Sequence, residues 1–141
     1  RQRQMCIRDR VHTVDKLKIA RRLSEQRPDG LGELNVCLQV NIDNEPGKSG
    51  AKVDDVPDLA AAVAELPGLR LRGLMCLPAI REDFGAQREP FARLRELAQL
   101  VSESGIDLDT LSMGMTDDYR AAIFEGATIV RIGTAIFGPR E

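Results

Sequence analysis

The sequence predicts an α/β fold of parallel strands, on three observations. From residue 11 onward, short β-branched or apolar runs alternate with longer segments of helical period. Each helical segment is long enough to be the crossover that a parallel neighbour requires. The composition is 43% apolar and 30% charged, with 12 Gly and 7 Pro in no repeat, which excludes a disordered or fibrous chain.

The first unit is a strand over 11–15 and a helix over 16–26, in which Leu17, Ile19, Ala20 and Leu23 can form one apolar stripe. Arg27-Pro28-Asp29-Gly30 ends it. A second strand over 35–42 sets Val36, Leu38, Val40 and Ile42 in alternation with Cys37, Gln39 and Asn41. After a loop rich in Asp, Asn, Pro and Gly comes a helix over 56–66, with Leu59, Ala60 and Val63 on one side and Pro67-Gly68 as its stop. The third strand, 69–77, reads LRLRGLMCL, and its helix over 84–104 carries Phe91, Leu94, Leu97, Leu100 and Val101 before Gly105 closes it. A fourth strand over 110–113 leads into a short helix over 119–125, which Asp117 or Asp118 is expected to cap. A fifth strand over 127–133 and a helical turn over 134–138 finish the chain.

Five βα units fit either an open sheet or an incomplete barrel, since a whole (β/α)₈ barrel takes about 250 residues. Residues 1–10, RQRQMCIRDR, hold four Arg against one Asp and read as a lead-in foreign to the acidic remainder, so the domain is expected over 11–141. With 20 Lys+Arg against 22 Asp+Glu, nothing in the overall charge favours nucleic acid or an anionic membrane. The apolar runs fall short of the ~18 residues that a membrane-spanning helix needs. Cys6, Cys37 and Cys76 form no metal-ligand spacing and are read as free thiols in a reducing compartment, the latter two packed in strands. The sole histidine, His12, removes chemistry that needs two imidazoles.

Two segments at the ends of the last strands could carry chemistry: LSMGMTDD at 111–118 and VRIGTAIFG at 130–138. In parallel α/β folds that rim is where ligands bind. Ser112 offers a hydroxyl, Gly114 lets backbone come close, and Gly133 and Thr134 offer N–H groups and a hydroxyl, a set able to surround a phosphate. Arg131, in an apolar strand, needs a partner, either a carboxylate on an adjoining helix or a ligand acceptor. The loop NEPGKSG at 44–50 fails as a Walker motif because Ile42 stands where its first glycine belongs. Lys48 is then a solvated charge or a rim group for an anion, and Asp117 and Asp118 are caps rather than an acid/base pair.

Several motifs together resemble the pyridoxal phosphate homeostasis protein family: HTVDKLKIARRL at 12–23, VNIDNEPGKSG at 40–50, LRGLMCLP at 71–78, LSMGMTDDYRAAIFEG at 111–126 and TIVRIGTAIFGPR at 128–140. The resemblance implies a partial TIM (β/α) barrel of the alanine racemase N-terminal-domain type, about five of eight units. It also implies a cytoplasmic binder of pyridoxal 5′-phosphate without established turnover, which supplies cofactor-accepting enzymes. Carried over by motif, Ser112, Gly133 and Thr134 hold the phosphate beside Gly114, and Arg131 faces the pyridine nitrogen. The family's Schiff-base lysine ends an earlier strand, whereas Lys16, Lys18, Lys48 and Lys52 fall on helix or loop positions. Residues 11–141 therefore read as the C-terminal five-eighths of a barrel that binds the cofactor weakly, with interior side chains such as Val40 and Met75 partly uncovered. A racemase or decarboxylase on the same barrel, or a barrel for another phosphate ester, is the alternative.

Overall fold

The fold is taken from a computed structural model that describes residues 9–140, so the lead-in expectation falls, apart from Asp9 and Arg10, outside the described residues. Four parallel strands lie side by side in chain order: β1 (Arg10–Val14), β2 (Leu34–Val40), β3 (Leu69–Cys76) and β4 (Thr110–Ser112). Helices α1 (Leu17–Glu25), α2 (Val56–Ala64) and α3 (Phe84–Glu103) cross between them, while α4 (Tyr119–Phe124) and α5 (Thr134–Phe137) follow β4.

Alternation along the strands separates two faces. Val36, Leu38 and Val40 of β2, with Leu74 and Cys76 of β3, are buried in one apolar cluster with Ala20, Ala60, Val63, Phe91, Leu94 and Val101 of the helices. On the opposite face the register puts Cys37, Gly73 and Thr110 in one row and Gln39, Met75 and Ser112 in the next. β1 joins both rows from the far edge, since Arg10 Nη1 donates to Thr110 Oγ1 at 3.0 Å and His12 Nδ1 lies 2.7 Å from Ser112 Oγ. Side chains of the first and last strands can meet only if the sheet is curled into part of a barrel, whose interior is filled in such layers. A register shift opposite Val36/Cys37 sets Arg72 apart, where it pairs with Asp109 at 3.0 Å, and Gly73 abuts β4 too closely to carry a side chain.

The structure corrects the sequence reading in four places. Residues 127–133 are not a fifth strand: they touch β4 through one bridge, Ser112 with Ile129. The ladder breaks because the Leu111 N–H is given to Thr128 Oγ1, while the N–H groups of Thr128 and Ile129 both converge on the Leu111 carbonyl. Ile19 and Leu100 leave their expected stripes for solvent, each one residue, or about 100° of helix, from the buried Ala20 or Val101. Val40 and Met75, expected to be partly uncovered, are buried at 2% and 3% exposure, Val40 under the helices and Met75 on the concave face. Asp118 sits at the start of α4 but does not cap it, because its carboxylate accepts the Met115 N–H at 2.7 Å and closes the turn behind it.

Candidate functional site at the strand ends

The segments after β3 and β4 and the start of α5 enclose a cavity of about 130 Å³, lined in part by Cys76, Gly114, Met115, Arg131 and Thr134. Gly114 holds φ +98°, and a Cβ there would stand 2.6 Å from Ala122 Cβ and 3.1 Å from Tyr119 Cα, so glycine is what lets α4 pack against the turn. The Gly114 carbonyl accepts the Arg131 N–H at 2.9 Å, which fixes the next chain segment alongside.

Arg131 points inward. Its Nη1 donates to Ser112 Oγ at 2.5 Å and its Nη2 to the Cys76 carbonyl at 2.9 Å, so its partners are neutral oxygens and not the helix carboxylate that the sequence also allowed. Burial draws its pKa below the ordinary value. Ser112 is fully buried beneath it and also touches His12. Of the five residues expected to form the site, Gly114, Arg131 and Thr134 line the cavity, Ser112 is joined to it through Arg131, and Gly133 immediately precedes Thr134 without lining it. Among the described residues, the N–H groups of Gly133 and Thr134 have no internal acceptor, whereas the Ala135 N–H goes to Thr116 Oγ1 at 3.3 Å.

A wider cleft of about 670 Å³ opens beside this cavity over the ends of β1 and β2 and shares Leu77 with it. Asp15, Lys16, Gln39, Asn41 and Lys48 line it. The NEPGKSG loop is shaped by Asn41, whose side chain bonds both the Glu45 carbonyl at 2.9 Å and the Glu45 N–H at 3.0 Å. Lys48 is both things the sequence allowed: half-exposed and paired with Glu45 at 2.8 Å, yet on the cleft wall. A further concavity of about 710 Å³ lies elsewhere, between the loop after β2 and α3, and holds none of the expected site residues.

Sequence reasoning missed His12 as part of the site. Strand alternation from Arg10 could have placed it on the concave face; contact with a residue 100 positions away could not be read locally. It also missed Asp43, where Arg81, Arg93 and the Ala79 N–H converge to pin the loop after β3 to the end of β2. Cys37 and Cys76 are buried with their thiols pushed up to about 11 and about 12, chiefly by burial, which fits packing and not nucleophilic chemistry. No group of three or more metal-ligating side chains, and no helix long and apolar enough to cross a membrane, occurs among the described residues.

Residues 2–141 match the family described as alanine racemase, N-terminal domain. The chain is 61% identical over 131 residues to a pyridoxal phosphate homeostasis protein of Pseudomonas aeruginosa, covering 93% of this chain and 56% of that protein. A protein of the same description from Escherichia coli is 51% identical over 138 residues, covering 94% of this chain and 57% of the relative. The chain thus spans somewhat over half the length of the curated relatives it matches. Among solved structures, PipY of Synechococcus elongatus with pyridoxal phosphate bound superposes with a TM-score of 0.82 at 30% identity, over 92% of this chain and 61% of PipY. Alanine racemase of Corynebacterium glutamicum superposes at 0.71 and 14% identity, over 93% of this chain and 36% of the enzyme, a likeness of fold alone.

Proposed function

The chain belongs to the alanine racemase N-terminal domain family, and on that premise we propose that its strand-end cavity binds pyridoxal 5′-phosphate in the service of cofactor homeostasis, without turnover of its own. The observation that carries this reading is the inward Arg131, bonded to Ser112 and lining one cavity with Gly114 and Thr134. The donor set suits the ligand. The Thr134 hydroxyl and the N–H groups of Gly133 and Thr134 match the acceptor oxygens of a phosphate monoester, and a guanidinium adds a fixed positive charge.

When bound, pyridoxal phosphate supplies a reactive aldehyde on an electron-withdrawing pyridine ring. Gly133 and Thr134 would hold the phosphate, Ser112 fixes Arg131 from beneath, and Gly114 keeps the cavity wall free of a side chain. Arg131 would be the partner of the ring nitrogen. A permanent donor there disfavours a proton on that nitrogen and so weakens the ring as an electron sink. The recipients are then cytoplasmic enzymes that need the cofactor.

Equilibrium titration of the chain with pyridoxal phosphate, followed by absorbance and fluorescence, tests the reading. Arg131→Ala and Ser112→Ala are expected to weaken binding about ten- to hundredfold, the loss of one charge-assisted hydrogen bond. Pyridoxal without the phosphate is expected to compete poorly. Unchanged affinity in both variants would falsify the site.

A further inference from the structure

Three of the polar side chains on the wall of the wider cleft already have partners. The Asn41 amide is closed on the Glu45 backbone at 2.9 and 3.0 Å, the Lys48 ammonium is paired with Glu45 at 2.8 Å, and the Asp15 carboxylate accepts the Gly50 N–H at 3.1 Å. Lys16 is exposed. Gln39 differs from all of these: it is only 8% exposed, it lines the cleft, and its side-chain amide has no hydrogen-bond partner among the described residues. A buried amide left unpaired costs about 1–3 kcal/mol, so such a group ordinarily meets a ligand or a water.

The strand order shows which part of a ligand would come there. The Arg131 guanidinium starts from the segment after α4 and reaches across Ser112 of β4 to the Cys76 carbonyl at the end of β3. The next strand on is β2, where Gln39 is the register partner of Met75 and Val40 that of Cys76. Cavity and cleft meet at Leu77, immediately after Cys76. In pyridoxal phosphate the phosphate arm and the phenolic hydroxyl sit on opposite sides of the line from the ring nitrogen to the aldehyde. With the phosphate at Gly133 and Thr134 and the nitrogen at Arg131, the phenolic edge faces away from the segment after α4 and toward β2.

We propose that Gln39 is a binding residue for the phenolic oxygen of the ring, its amide N–H donating to that oxygen, an assignment that rests on the cavity holding the phosphate as read above. An amide donates without bringing charge, and a phenolic oxygen that has given up its proton is a strong acceptor. Among the described residues no other buried side-chain donor on the cleft wall is free.

Titration of the full chain with pyridoxal phosphate and with its 3-deoxy analogue, which lacks only the phenolic oxygen, tests the assignment. The unaltered chain is expected to bind the analogue about tenfold more weakly, one charge-assisted hydrogen bond being lost. Gln39→Met keeps the length of the side chain and removes the donor. It should weaken pyridoxal phosphate about tenfold and leave the analogue within about twofold of its affinity for the unaltered chain. Gln39→Glu, which turns an acceptor toward the oxygen, should weaken pyridoxal phosphate further, and by more than it weakens the analogue. Equal losses for both ligands in Gln39→Met overturn the assignment, since they mark a disturbed cleft and not a missing contact. Equal affinity of the unaltered chain for the two ligands overturns it without any variant, so the test holds even if Gln39→Met does not fold. If Arg131→Ala weakens pyridoxal phosphate and Gln39→Met does not, the cavity reading stands and this one falls. If the unaltered chain binds no pyridoxal phosphate, both fall.

Discussion

A buried guanidinium needs acceptors, and Arg131 finds two neutral ones, Ser112 Oγ and the Cys76 carbonyl, which keep it fixed without cancelling its charge. Asp43 shows the opposite economy, with a carboxylate surrounded by donors. Burial alone would raise its pKa, but the bonds from Arg81, the Ala79 N–H and Arg93 outweigh it and hold the group at about 2 against an ordinary 3.8. A carboxyl depressed on folding stabilises in full above its unfolded value and loses that contribution as pH falls through the folded one. Asp43→Asn is therefore expected to destabilise the chain by about 1–2 kcal/mol at neutral pH, the arginines being partly solvated. In urea melts the gap between variant and parent should close from about pH 4 to about pH 2. A gap constant over that range would show that the charge plays no part.

Among the elements, α4 depends on its neighbours, since six residues are too few for a stable isolated helix. It is held from outside by Glu125, just past its end, which pairs with Arg88 at 2.7 Å and with Arg95, both on α3. It is held from inside by its contact with Gly114. Gly114→Ala would put a Cβ into Ala122 and Tyr119 at a backbone angle that side chains rarely adopt. The expected loss is about 2–4 kcal/mol, read from thermal unfolding, together with weaker binding of pyridoxal phosphate as α4 shifts. A melting temperature equal to the parent's would mean that α4 does not depend on that contact. The long helix α3 runs through Pro90, a residue that ordinarily interrupts helices; here it is buried together with Phe91, Leu94 and Leu97, and this packing keeps the helix whole.

For the molecule as a whole, the decisive feature is curvature, because it brings β1 round to face β4 and sets His12 against Ser112 beneath the cavity. A double-mutant cycle between Arg10→Ala and Thr110→Val should reveal a coupling of about 0.5–1.5 kcal/mol in urea unfolding, and strict additivity would deny that the cross-sheet bond contributes. The sequence alone determined the βα alternation, all four strands to within two residues and the helix stops at Gly and Pro, and it put forward Ser112, Gly114, Arg131, Gly133 and Thr134 as candidates for one site. These are local matters: period, turn chemistry, and the position of a motif at a strand end. Tertiary structure decided that 127–133 would lose its ladder to the Thr128 hydroxyl, that Asp118 would close a turn rather than cap a helix, and that Ile19 and Leu100 would face water. It alone brought His12 to Ser112 and gave Arg131 its partners. Those contacts join residues as many as 100 positions apart, and their geometry is set by how tightly the sheet curls, a property of all the strands packed together that no single stretch of chain encodes.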